Sequence, residues 1–272
     1  MSADQNGLVR LRIQARQARA EGQFMQAARF ERQAVELAQA LGLAGERTRA
    51  LLWEGYSLRQ AGEEDLALAA LLQAASERAT SAAPADVFAA LVSVIHISLD
   101  RKPPAFCQAL LDEGRRYLTD LRQPWNALLD YLEGELAYRQ SDWAMAWERY
   151  SGAWAGRRDQ HPCLTAATHL WALCKTAFRQ RDLVKLEQWI ERLGDLTPTD
   201  ALDRQLQQRA RLLGWRARRA AGLAGLDPVM DAQMASIAQT LLAEVAQSAQ
   251  RDTGVQREAL RVLELLGHPA TR

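Results

Sequence analysis

The sequence predicts an all-α protein, a right-handed solenoid of about six helix-turn-helix repeats closed by a capping helix, and two observations carry that prediction. The first is composition. Of 272 residues, 49 are Ala and 41 are Leu, whereas Val and Ile together number 15. Helices favour Ala and Leu and strands favour β-branched residues, so a sheet-based fold is nearly excluded. The second is a recurrence. Turn-like points at Gly22, Gly62, Lys102, Ser141, Arg181 and Ala221 are separated by 40, 40, 39, 40 and 40 residues. Seven residues before them stand Ala15, Gly55, Ile95, Gly134, Cys174 and Gly214. Five after the first four come Ala27, Ala67, Cys107 and Ala146, and twelve after come Ala34, Ala74, Gly114 and Ala153. Small residues at fixed offsets let helix backbones approach at the same place in every unit, and a repeat of this length means stacked helical pairs.

Each repeat reads as two amphipathic helices around a short turn, and together they form a single domain over 1–272. The first covers 8–42, with helices 8–20 and 25–41 and Gly42 as a C-cap. The second, 46–78, carries helices 46–60 and 64–77, followed by the short linker-like stretch 78–84. In the third, 86–119, Pro103-Pro104 stops one helix and starts the next. The fourth spans 124–157 and the fifth 163–194, with helices 163–180 and 183–193. Pro198 and Thr199 open the sixth, 199–250, whose second helix starts at Pro228, and 255–267 is the cap.

The stretches AEGQFMQAARFERQAVELA, LRQAGEEDLALAALLQA and LEGELAYRQSDWAMAWERYSGA resemble tetratricopeptide repeats. They share a small residue in the first helix, a Gly or Ser-Asp-aromatic turn, and small and aromatic residues in the second helix. The period is longer than the family's usual one, as in the repeats of signalling adaptors and of the sensor arms of large bacterial transcription activators. The resemblance implies a solenoid whose first helices line an inner groove that binds a partner.

With 34 basic against 33 acidic residues, total charge is near neutral, and the basic residues are 31 Arg to 3 Lys. No apolar run is long enough to cross a membrane, so no membrane association is expected. The polar first ten residues hold no apolar signal core, and the three cysteines, Cys107, Cys163 and Cys174, form no close pair. The reading is therefore a cytoplasmic protein. No phosphate loop, dinucleotide fingerprint, HExxH or GxSxG motif occurs, so no enzyme is expected. His161, Cys163, His169 and Cys174 lie within fourteen residues, but their spacing suits no usual zinc site. No metal or cofactor is expected. His96 reads as a groove-lining or core histidine.

The candidate site is the groove stripe that the resemblance implies, 13, 10, 6, 3 and 2 residues before each turn point. Eleven of its thirty positions are basic and two acidic. Arg19, Arg59, Arg139, Arg179, Arg218 and Arg219 suit the ends of first helices through the helix dipole. The remaining basic positions, Arg12, Arg16, Arg49, Lys175 and Arg211, point to anion binding, with Glu135 among them. Tyr56, Tyr131, Tyr138, Trp171, Phe178 and Trp215 add flat apolar surface suited to anchors or stacking. The functional expectation is a non-enzymatic adaptor or sensor scaffold that holds an acidic or aromatic-bearing peptide segment of a protein partner. Single-stranded nucleic acid or a small phosphorylated ligand is the second reading, weakened by the near-neutral charge. A structural or oligomerisation arm of a larger complex is the third.

Overall fold

The structure, a computed structural model, describes residues 3–77, 83–121, 126–156, 165–198, 201–223, 227–247 and 253–267. Among these residues there are thirteen α-helices and no strand. They are α1 (Ala3–Ala20), α2 (Phe24–Ala40), α3 (Ala44–Gln60), α4 (Glu64–Ser76), α5 (Pro84–Ser98) and α6 (Pro104–Leu121), then α7 (Asn126–Arg139), α8 (Trp143–Ala155), α9 (Ala166–Gln180), α10 (Leu183–Gly194), α11 (Ala201–Ala220), α12 (Pro228–Gln247) and α13 (Thr253–Leu265). Most helices pack mainly on their sequence neighbours, and first helices of successive pairs also touch, α3 with α5 and α9 with α11, the latter being the main packing of α11. The chain divides into two compact units, residues 1–124 with α1–α6 and residues 125–272 with α7–α13. No helix of the described residues is long and apolar enough to cross a membrane.

The small residues form the packing seams. Ala15, Ala27, Ala34, Ala67, Ala74, Ile95, Cys107, Ala146, Ala153 and Cys174 are all fully buried. A Cβ on Gly55 would fall 2.5 Å from Leu71 Cγ of α4, and one on Gly134 would fall 2.6 Å from Tyr150 Cδ1 of α8. Both glycines therefore hold a first helix against the second helix of its own pair. Gly214 departs from this pattern. Its Cβ would fall 2.8 Å from Ile190 Cδ1, which belongs to α10 of the preceding pair. Helix α11 is thus turned about its axis relative to the first helices before it.

The turns explain the period. Gly22 and Gly62 take left-handed φ of 73° and 85°, and the residue after each donates to the carbonyl five positions earlier, closing the helix end (Gln23 N to Ala18 O, Glu63 N to Leu58 O). Ser141 and Arg181 occupy the same left-handed position without being glycine, at φ 63° and 58°. In both cases an aspartate follows and caps the next helix. Asp142 accepts from Met145 N and Asp182 from Lys185 N, each at 3.0 Å. The last of these turns places its left-handed residue at Gly222, one position beyond Ala221. At Lys102 no left-handed residue occurs, and Pro104 begins α6.

Unit 1 is centred on Leu8, Val35, Leu51, Leu58, Leu71 and Val94. In unit 2, α11, α12 and α13 enclose Leu212, Trp215, Met234, Leu241, Val255 and Val262. Trp154 and Trp189 meet edge-to-face at 6.2 Å, joining α8 to α10, as expected for aromatics on neighbouring second helices.

Candidate ligand-binding surfaces

In unit 1 the basic residues of the first helices reach across to the next first helix. Arg12 of α1 pairs with Glu46 of α3 at 2.7 Å. Arg49 of α3 pairs with Asp86 of α5 at 2.9 Å and with Glu46 at 3.3 Å. Arg59 donates to His96 Nδ1 of α5 at 3.1 Å, which sets the His96 proton on the other ring nitrogen. Arg19 lies 4.6 Å above the Trp53 ring and pairs with the buried Glu31 of α2 at 2.7 Å. Beside this ladder an uncovered strip remains. Ile13 is 62% and Tyr56 45% exposed, Val9, Arg16 and Trp53 are also exposed, and Trp53 meets Tyr56 edge-on at 5.6 Å. Arg16 has no ion-pair partner among the described residues.

Unit 2 concentrates its charge on one buried carboxylate. Glu135 of α7 accepts from Arg139 at 2.6 Å, from Tyr150 OH at 2.6 Å and from Lys175 of α9 at 2.5 Å. Burial alone would raise its pKa, but Lys175 and Arg139 together outweigh burial and hold the carboxyl well below the usual range. Burial lowers the Lys175 pKa, and Glu135 opposes that shift. Burial, reinforced by Glu135, pushes the Tyr131 and Tyr150 phenols far up. The Lys175 ammonium also sits 4.4 Å from the Tyr138 ring. This cluster is saturated with internal partners and braces α7, α8 and α9 together.

The structure corrects several groove expectations. Tyr131, Trp171 and Trp215 are buried rather than displayed as platforms. Tyr131 packs on Tyr150 and on His169, each at 5.4 Å. Trp171 is covered by the Arg209 guanidinium at 4.5 Å. The Trp215 indole donates to Asp231 of α12 at 3.0 Å. Arg211 and Lys175 do not line one concavity. Lys175 is held in the Glu135 cluster, while Arg211 opens onto a separate cleft of about 610 Å³ lined by Glu187, Ile190, Trp215 and Met230. The rotation of α11 that brings Gly214 against Ile190 accounts for this. Phe178 and Tyr138 are half-buried.

The surplus positive charge of the stripe is also smaller than counting along it implied. Arg12, Arg19, Arg49, Arg139, Lys175, Arg218 and Arg219 each pair with a carboxylate. Apart from Glu135, those carboxylates lie at positions outside the stripe, which a one-helix count omits. On the packing face, Glu54 pairs with Arg32 of α2 at 2.7 Å and Glu133 with Arg149 of α8 at 3.1 Å.

Sequence reasoning missed a second set of arginines. Arg209 and Arg216 of α11 lie above Trp171 and Phe178 of α9, at 4.5 and 5.1 Å. Arg209 also grips Glu258 of α13 through two hydrogen bonds, at 2.8 and 3.1 Å. The seven-residue spacing of Arg209 and Arg216, two helical turns, was a readable signal. Arg179, Arg216, Arg257 and Arg261 face a cleft of about 540 Å³ between α9, α11 and α13.

For the His/Cys cluster, His161 and Cys163 lie outside the described residues. His169 Nδ1 is 3.3 Å from Thr165 O, and burial pushes the Cys174 thiol up to about 12. A thiol so protonated and enclosed is a packing group. Together these features define an all-α protein of consecutive helix pairs whose first helices are cross-linked by cations. Compared with known proteins, the chain matches no protein-family model and no curated protein.

Proposed function

We propose that the protein is a non-catalytic binding scaffold that holds an acidic protein or peptide segment with apolar anchors on the first helices of unit 1. In this reading the helix pairs are six tetratricopeptide-like repeats with α13 as cap, each unit winding with that family's right-handed sense, in a cytoplasmic protein. The observation that carries it is the uncovered strip of Val9, Ile13, Arg16, Trp53 and Tyr56 beside the Arg12–Glu46 and Arg49–Asp86 pairs. Exposed aliphatic and aromatic groups offer anchors, and the exposed Arg16, which has no ion-pair partner among the described residues, favours a carboxylate at the rim. The single-stranded nucleic-acid reading loses support, because most of the stripe's cations are neutralised within the protein. A non-catalytic role is supported by the perturbed groups themselves: Glu135, Tyr131, Tyr150 and Cys174 are buried among packing partners.

Peptide display against the intact chain tests this. The recovered peptides are expected to be acidic with an aliphatic or aromatic anchor. The triple variant Ile13→Asp, Arg16→Glu, Tyr56→Ala should bind them at least about tenfold more weakly, roughly 1.4 kcal/mol, with an unchanged circular dichroism spectrum. Equal binding by the triple variant, or tighter binding of single-stranded oligonucleotides than of any peptide, overturns the proposal.

A further inference from the structure

We infer that unit 2 carries a binding site for a dianionic phosphoryl group in the cleft between α9, α11 and α13. The cleft of about 540 Å³ is lined by Arg179, Arg216, Arg257, Arg261, Glu258 and Glu264, four guanidiniums against two carboxylates. Both carboxylates are already engaged. Glu258 is held at two points by Arg209, and Glu264 accepts from Arg261 at 3.2 Å. Among the described residues, Arg179 reaches only the Tyr138 hydroxyl, at 3.3 Å, and the face of Trp143. The Arg216 guanidinium lies over the Phe178 ring at 5.1 Å and has no carboxylate partner among the described residues.

Arg216 is half-buried, so solvent screens its charge incompletely. Burial, the largest effect, disfavours its ionised form; Glu258 pulls the other way, and the like charges of Arg261 and Arg179 add smaller effects in the same direction as burial. A partly desolvated guanidinium among like charges is an unfavourable arrangement that an incoming anion relieves. A phosphoryl group suits it on two counts. Its two negative charges match the formal surplus of the lining, and its oxygens accept the parallel N–H pairs of a guanidinium fork. The shared chemistry admits two sources, a free phosphate species or a phosphorylated side chain of a peptide. This site is independent of the peptide strip on unit 1, whose residues lie on other helices.

The test uses the full chain in phosphate-free buffer. Calorimetry is run with inorganic phosphate, with a phosphoserine peptide, with its Ser and Asp counterparts, and with acetate. Binding of phosphate or of the phosphoserine peptide is expected, with at least a tenfold preference over the Asp peptide and acetate. Arg216→Gln and Arg179→Gln should each reduce it tenfold or more, and Arg216→Lys, which keeps charge but loses the fork, should also weaken it. Arg211→Gln and the unit 1 triple variant should leave it unchanged. Thermal melts of each variant separate lost folding from lost binding. Binding of the phosphopeptide but not of free phosphate assigns the peptide source, and the reverse assigns the free one. No binding of either, equal binding of the Asp peptide, or full binding by folded Arg216→Gln and Arg179→Gln overturns the inference.

Discussion

In unit 1, Glu31 and Glu54 are buried against one guanidinium each, Arg19 and Arg32. In unit 2, Glu135 is buried against two cations and a phenol. Among the described residues the Oε2 atoms of Glu31 and Glu54 have no hydrogen-bond partner, whereas both oxygens of Glu135 are satisfied. The outcomes are opposite. Burial wins in unit 1 and raises the pKa of both glutamates, while in unit 2 the cations win and lower that of Glu135. Burying a carboxylate is not itself a stabilising or destabilising act; the number and geometry of its partners decide the sign.

Four experiments sharpen or break this contrast. The largest effect is expected for an aromatic. Trp215→Ala should cost about 4 kcal/mol in denaturant unfolding, because it empties the α11–α13 core and leaves Asp231 with Arg219 alone. Tyr56→Ala in unit 1 should stay within about 1 kcal/mol, since nearly half of that residue is in solvent. Similar costs would erase the distinction between a core and a displayed aromatic.

Next comes the carboxylate. Glu135→Gln should cost about 3 kcal/mol, because Lys175 remains buried without its counter-charge. Glu54→Gln should change stability by less than about 1 kcal/mol, since it removes a partly unsatisfied charge whose partner Arg32 is half in water.

The third experiment is the pH dependence of the same variants. Glu135 has a depressed folded pKa, so its contribution is present above the ordinary value of 4.5 and is lost as pH falls below it. Glu31 and Glu54 have raised folded pKa values, so their contribution is present below 4.5 and is lost as pH rises through the folded values. The stability difference between wild type and Glu135→Gln should therefore shrink on acidification from pH 7. Wild type minus Glu54→Gln should move in favour of wild type over the same range. Parallel slopes would show that the two environments are electrostatically alike.

The smallest effect concerns the turns. Unit 1 uses glycine at the left-handed positions 22, 42 and 62, whereas unit 2 uses Ser141 and Arg181 at two of its own. Ser141→Gly and Arg181→Gly should each stabilise by about 1 kcal/mol, and Gly62→Ala should cost a similar amount, read from melting curves. No gain in unit 2 would mean that the aspartate caps at 142 and 182 already absorb the strain.

The helices, their order and their turn points were legible in the sequence. Local composition and the spacing of Ala15, Ala27, Ala34 and their counterparts are set by contacts that recur every 40 residues. The expected helices begin and end within a few residues of α1–α13, and Ser141 and Arg181 stand at the predicted turns. The site was legible only in part. Arg16 and Tyr56 are exposed, whereas Trp171 and Trp215 are core, and Arg209 and Arg216 went unnoticed.

By itself, then, the sequence determined what depends on neighbours along the chain: helical class, repeat period, turn chemistry and the small-residue seams. The tertiary structure decided what depends on neighbours across it. Whether Arg49 is a free cation or the partner of Asp86, 37 residues away, cannot be read from either helix alone. The rotation of α11, which hides Trp215 and separates Arg211 from Lys175, follows from where Gly214 seats against Ile190. Side-chain periodicity fixes which residues share a face of one helix. Only packing fixes which way that face points, and charge pairing and burial follow from that direction.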